Sequence, residues 1–170
     1  MMEDPRLEPI FKRRSIRKYS AELVDEQDIE KILKAAMSAP SASNRKPWQF
    51  IVVTQRQKLD ALAKAHPYGK MLYEAPLCIV VCGEPETSPP SWVQDCSLAS
   101  ENLLLAVAAL GLGAVWLGVH PRQERIDFVR KTFDIPDNIV PLNLISIGHP
   151  AETKEPRTQY DEVRVHHDHW

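Results

Sequence analysis

Apolar side chains recur at three- and four-residue spacing through Ile29, Ile32, Leu33 and Ala36. This puts them on one face of a helix that opens at Asp25, takes Asp28 as a partial capping-box partner and stops before Pro40. The same period predicts a helix over 57–65 through Leu59, Leu62 and Ala63. It predicts another over 123–133 through Ile126, Val129 and Phe133, with Pro121 where the chain enters it. A short helix over 5–12 precedes them, and a helical turn is expected through Met71, Leu72 and Tyr73. Strand signals alternate with these helices. Trp48 to Val53 is aromatic and β-branched, and Leu77 to Cys82 is almost wholly apolar, as in a central strand covered on both faces. Ala114 to Gly118 is a short strand entered past Gly111 and Gly113, and a further strand runs from Pro141 to Gly148 within 138–148.

Two stretches do not fit a half-buried surface. The helix expected over 92–110 carries Leu103 to Leu110, which is apolar all the way round, and a helix without a polar face must be covered on every side. A subunit interface is the reading favoured here. The tail over 161–167 alternates enough to predict a strand and ends at Trp170, which suggests docking on a second subunit.

Composition narrows the classes. A chain of 170 residues fits one domain, residues 1–170, with a core of useful size. A formal charge of −2 argues against nucleic-acid binding, which needs a broad positive field. The apolar run in the 92–110 helix falls far short of the ~20 residues that cross a bilayer, so no membrane partner is expected. The acidic opening Met1-Met2-Glu3-Asp4-Pro5 lacks an apolar signal core, and a cytoplasmic location is expected. Cys78, Cys82 and Cys96 read as structural thiols, the first two on one face of a strand. No metal site is expected: His66, His120 and His149 are isolated, and His166, His167 and His169 crowd the terminus.

Against this background one stretch stands out. Lys12 to Lys18 is dense in cations, with Arg13, Arg14 and Arg17 around Ser15 and no carboxylate among them, so a small anion is expected there. A turn-rich loop, Ser38 to Pro47, delivers the chain to the Trp48 strand, a common ligand-holding position. Lys154 and Arg157 form a second basic segment in the irregular stretch 149–158.

The order and wording of these segments resemble the nitroreductase family over essentially the whole chain. The features that carry the resemblance are Arg13-Arg14-Ser15-Ile16-Arg17, then Ala39-Pro40-Ser41-Ala42-Ser43-Asn44 followed by Pro47-Trp48, and Glu74-Ala75-Pro76 before a buried strand. They continue with Ala109-Leu110-Gly111-Leu112-Gly113 opening onto Trp116-Leu117-Gly118, and with Ile147-Gly148-His149-Pro150. The resemblance implies an α+β, three-layer α/β/α fold with a central, largely antiparallel sheet. It also implies a domain-exchanged homodimer with FMN at its interface. The implied activity is transfer of hydride from NADH or NADPH through flavin N5 to a flat small-molecule acceptor such as a nitroaromatic or quinone. Alternatives are a non-catalytic FMN-binding or sensing protein, or a specialised relative that dehalogenates substrates or fragments the flavin.

By the same resemblance, Arg13 and Ser15 bind the FMN phosphate with Lys154 and Arg157, and Arg14 contributes beside them. Arg17, and Lys70 with it, supply positive charge near the ring, and the Gly118 backbone N–H points at N5. Trp116, like Trp48, reads as core or cofactor-wall packing, and Leu117 counts among the cofactor-binding residues, standing where some members carry an acid. Pro40, Ser41, Ser43 and Asn44 reach the cofactor from the other subunit. No side chain is assigned a nucleophilic or acid–base role, since the cofactor carries the chemistry.

Overall fold

A computed structural model describes residues 4–170; the acidic opening Met1–Glu3 lies outside the described residues. Four strands, β1 (Trp48–Val53), β2 (Leu77–Gly83), β3 (Gly113–Gly118) and β4 (Val140–Gly148), form one antiparallel sheet in the order β1-β2-β4-β3. Five α-helices flank it: α1 (Glu8–Lys12), α2 (Glu26–Met37), α3 (Arg56–Ala65), α4 (Trp92–Ala109) and α5 (Gln123–Phe133).

Strand alternation decides the layers. Cys78, Val80 and Cys82 of β2 face one way and join Val115, Leu117 and Leu144 under α3 and α5, around Leu59, Leu62, Ile126 and Val129. Leu77, Ile79 and Val81 face the other way and join Ala114, Ile145 and Ile147 under α2 and α4, around Ile32, Ala36, Leu103 and Val107. Every residue of β2 is buried, as expected of a strand covered on both faces. The result is the three-layer α/β/α arrangement. All three cysteines are buried and free, and burial pushes each thiol up to about 12.

The expectations for Asp28 and for the tail are corrected. Asp25 caps α2 through Gln27 N at 3.0 Å, but Asp28 pairs with Lys31 at 2.7 Å instead of completing a capping box. Its i,i+3 lysine offers a full charge where the cap offers one backbone N–H. The apolar stretch of α4 is covered on one side only: Leu103, Leu104 and Val107 are buried, Leu105, Ala106, Ala108 and Leu110 half-buried, and Ala109 exposed. The tail is no strand in the single chain. Asp161 instead caps a 3-10 turn, Glu162–Arg164, and Tyr160, Val163 and Trp170 stand exposed. A strand exists only through the ladder of a neighbour, and the tail meets none within its own chain.

Candidate functional site

The basic stretch has no room to form a helix because it is held between two other segments. On one side Ser15 bridges Ala114 in parallel, and Ile16 N donates to Ala114 O at 2.9 Å. On the other Tyr19 bridges Pro150 antiparallel, while Ser20 N donates to His149 O and Ala151 N to Lys18 O, each at 2.9 Å. The close fit against β3 depends on Gly113, where an added Cβ would lie 2.7 Å from Ile16 Cγ2. Tyr19 pins the stretch from beneath. Its hydroxyl donates to Ile16 O at 2.7 Å and lies 2.8 Å from Ser146 Oγ, and burial raises its pKa.

This threading brings the second basic segment onto the first. Lys154 Nζ donates to Ser15 O, Arg14 Nη1 donates to Glu155 O, and Arg157 N donates to Phe11 O at 3.2 Å. Between them lies a cavity of about 220 Å³ into which Lys12, Arg13, Arg14 and Lys154 are gathered, floored by Leu104, Val107 and Leu112. Arg157 is fixed beside α1 by its backbone, and its exposed side chain lies outside the cavity lining.

Two carboxylates that sequence reasoning missed answer part of this charge. Glu101 of α4 lies 3.4 Å from Arg13 Nε, in an exposed pair of small energetic weight. Glu152 accepts from Arg17 N at 2.5 Å and lies 3.3 Å from Lys154 Nζ. The Arg17 N–H first, and then Lys154, hold the Glu152 carboxyl below the usual carboxylate range. With its backbone held in this way, Arg17 keeps its side chain exposed. A carboxylate two residues before Lys154 was the available signal for Glu152, but only the fold shows that it turns onto Arg17.

Gly118 stands at the far end of β3, about 13 Å along the strand from Ala114 at ~3.3 Å per residue. Trp116 is half-buried on the α2/α4 side of the sheet. The Leu117 side chain is packed into the opposite core at 4% exposure, so only its backbone is available to a ligand. Lys70 is exposed on a 3-10 turn, Lys70–Tyr73, tied back to β3 through His66. Gly69 N donates to His66 O at 2.8 Å, and His66 Nε2 lies 2.9 Å from Gly118 O. Burial, and to a lesser degree the Arg125 charge, holds the His66 imidazole below its ordinary pKa against the opposing pull of the Gly118 carbonyl.

The loop with Pro40, Ser41, Ser43 and Asn44 is not brought to the basic cavity within one chain. It is anchored at the start of α4, where Ala42 N donates to Asp95 Oδ1 at 2.9 Å. Asp95 is about 20 Å along the helix from Ala108 at the cavity, at ~1.5 Å per residue. Ser43, Asn44 and Lys46 adopt positive φ of 51°, 57° and 52°, conformations that asparagine tolerates better than the other two. Ser41 Oγ accepts from Lys46 N at 3.0 Å and closes the turn. Among the described residues no group of histidine, cysteine, aspartate or glutamate side chains is placed to hold a metal ion, and no helix is long and apolar enough to cross a membrane.

A four-stranded antiparallel sheet between helical layers, with a basic cavity at the start of β3, places the chain in the α+β class. The family model described as "Nitroreductase family" matches residues 10–66 and 63–149, and the chain belongs to that family. An Archaeoglobus fulgidus protein with the provisional name NADH dehydrogenase/NAD(P)H nitroreductase is 48% identical over 170 residues, covering 96% of this chain and 98% of its own. A crystal structure from Parabacteroides distasonis, under the same provisional name, superposes with a TM-score of 0.95 at 45% identity over 99% of this chain and 100% of that one. A Desulfovibrio desulfuricans protein provisionally assigned as a nitroreductase, solved in complex with FMN, superposes with a TM-score of 0.82 at 32% identity, covering 99% of each chain.

Proposed function

We propose that residues 1–170 form one FMN-binding domain of an NAD(P)H oxidoreductase that works as a homodimer, with the flavin phosphate in the basic cavity. The observation that carries this reading is the convergence of Arg13, Arg14 and Lys154 from opposite ends of the sequence on one cavity. These residues fit a phosphate. Arg14 and Lys154 spend donors on the backbone carbonyls of Glu155 and Ser15, and the Glu152 carboxylate is already engaged by Arg17 N, so the cations exceed their internal partners. A phosphate dianion offers them stronger, charge-assisted bonds. The FMN complex of the Desulfovibrio desulfuricans protein and the NAD(P)H in the archaeal relative's name support the choice of cofactor and donor.

The cavity also argues for a second subunit. At about 220 Å³ it is smaller than the ~300–1,000 Å³ typical of small-molecule sites, so one chain encloses only part of such a cofactor. The uncovered side of α4, with Leu98 45% exposed, Leu105 and Ala109, supplies the apolar surface for a partner copy. In that assembly the tail around Val163 and Trp170 finds a surface to dock on. Pro40, Ser41, Ser43 and Asn44 then complete the partner's site.

When bound, FMN supplies hydride acceptance at N5 from NADH or NADPH and delivery to a flat acceptor such as a nitroaromatic or quinone. Arg13, Ser15, Lys154 and Arg14 hold the phosphate, with Arg157 at its rim. Arg17 places a cation at the N1/O2 edge, where reduction leaves negative charge, and Lys70 adds a second. Gly118 presents its backbone N–H toward N5, with Trp116 and the Leu117 backbone beside it.

The test is anaerobic mixing of the yellow holoprotein with NADH and with NADPH. Bleaching near 450 nm by one of them is the expected result; flavin that stays oxidised with both would leave only a binding role. Arg17→Ala is expected to lower the flavin midpoint potential by ~30 mV, equivalent to about 1.4 kcal/mol for a two-electron couple, and spectroelectrochemistry reads it directly. An unchanged potential would remove Arg17 from the ring edge.

A further inference from the structure

The carbonyl of Gly118 is gripped from two helices. His66 Nε2, at the end of α3, lies 2.9 Å from Gly118 O, and Arg125 Nη1, from the first turns of α5, donates to it at 2.8 Å. The histidine tautomer is set by its other nitrogen: Tyr68 N–H donates to His66 Nδ1 at 3.2 Å, so the ring proton sits on Nε2 and that nitrogen donates. Arg125 Nη1 also lies 3.4 Å from His66 Nε2, two donors converging on one acceptor. The far side of the same peptide is held as well, because Val119 N donates to Leu142 O at 3.1 Å. Both lone pairs of the Gly118 carbonyl are therefore used, and the peptide plane that follows Gly118 is fixed at both ends.

A strand end needs no such grip for its own sake, since a carbonyl there can bond to water. The arrangement also leaves a donor unsatisfied, as Arg125 Nε is buried without a partner. The glycine itself shows where the benefit lies. At Gly83, Gly113 and Gly148 an added Cβ would sit 2.5–2.8 Å from a neighbouring side chain, so packing within the chain demands glycine there. At Gly118 a Cβ would meet only Trp116 Nε1, at 4.0 Å. Nothing inside the chain requires glycine at that position, and its open side is free for the close approach of a ligand to the backbone. A glycine used in this way has loose φ and ψ unless something external restrains it.

We propose that His66 and Arg125 are positioning residues that clamp the Gly118 peptide, so that its backbone presents a fixed face to the flavin. Both act through the Gly118 carbonyl, from α3 and α5. This rests on the reading of Gly118 as the backbone donor to N5. The clamp ties α3, α5 and the turn that carries Lys70 to the reacting end of the site, whereas the phosphate is held by other segments. The two ends of the cofactor site are thus predicted to be separable by mutation.

The experiment compares Arg125→Met, which keeps an apolar stem without a donor, with Arg125→Lys, which restores a cation able to reach the carbonyl. In cofactor-free protein, amide exchange at Val119, whose N–H lies in the clamped peptide, should quicken about tenfold in Arg125→Met, the effect of losing one such bond, and return toward wild type in Arg125→Lys. In FMN-loaded protein, Arg125→Met should keep FMN affinity within about threefold, because the phosphate residues are intact. Its kcat at saturating NAD(P)H should fall about tenfold with little change in KM, as for an interaction felt in the transition state. If Arg125→Met does not fold, His66→Leu against His66→Gln, which retains an N–H donor, reads the same quantities. Native exchange at Val119 in the donor-less variant would overturn the clamp. So would faster exchange with unaltered kcat, which would make the contact purely structural. Wild-type protein whose flavin neither donor reduces would refute the oxidoreductase reading and the inference with it; a wild type that turns over beside an unaffected variant would refute the clamp alone.

Discussion

Replacing Arg13 and Lys154 together by alanine is expected to release FMN from the purified protein and leave it colourless. Each side chain is a charged donor lining the basic cavity, and hydrogen bonds to charged groups are worth ~1.5–3 kcal/mol each, so the pair amounts to about 3–6 kcal/mol. Affinity should weaken between about a hundredfold and about ten-thousandfold, measured by titrating FMN into cofactor-free protein and following flavin fluorescence. The fold should survive. Arg13 gives up only an exposed ion pair with Glu101, and Glu152 keeps its bond from Arg17 N after Lys154 is removed. Full yellow colour in the double variant, with unchanged affinity, would move the phosphate away from this cavity.

The second large effect is on stability. Asp95 is 3% exposed and holds two donors, Ala42 N at 2.9 Å and the fully buried Ser88 hydroxyl at 2.6 Å. Asp95→Ala strands both, and at ~1.5–3 kcal/mol for each bond to a charged acceptor the loss is about 3–6 kcal/mol. For a chain of this size a drop of 3 kcal/mol corresponds to ~6–12 °C in Tm, readable by calorimetry on cofactor-free protein. Asp95→Asn should recover much of it, since its amide oxygen can still accept from Ala42 N while its NH2 donates to Ser88 Oγ. Because Asp95 anchors the loop that carries Ser41, Ser43 and Asn44, the alanine variant should also be cut faster by protease within 40–47. A Tm within about 2 °C of wild type would mean that water replaces both bonds at little cost.

Local chemistry made much of the fold legible. The helices α2, α3 and α5 are read from a period of 3.6, because each buries one face against the sheet and the pattern records that burial, and the strands at Trp48, Leu77 and Ala114 are read from aromatic, β-branched and apolar runs bounded by turn residues. The candidate site was legible through its wording rather than its geometry. Arg13, Arg14 and Lys154 do meet, but periodicity cannot show that a segment near residue 154 returns to residue 15, since that closure is made by Ala114, Pro150 and a glycine at position 113. Glu101, Glu152, His66 and Arg125 went unassigned for the same reason. Each looks like an ordinary surface or isolated residue until the partner it faces is known.

What the sequence determined by itself was most of the elements, the family and the residue types able to hold an anion, all properties of neighbouring positions along the chain. The tertiary structure alone decided which of those residues share a cavity. It decided that Leu117 turns into the core and Trp116 to the other face, because strand alternation gains its meaning only from what lies above and below the sheet. It also decided that the 161–167 tail is not a strand in a single chain, and that α4 keeps an open apolar side. A strand or an all-apolar helix is specified by its partner as much as by its own residues, and that partner lies outside any local stretch of sequence.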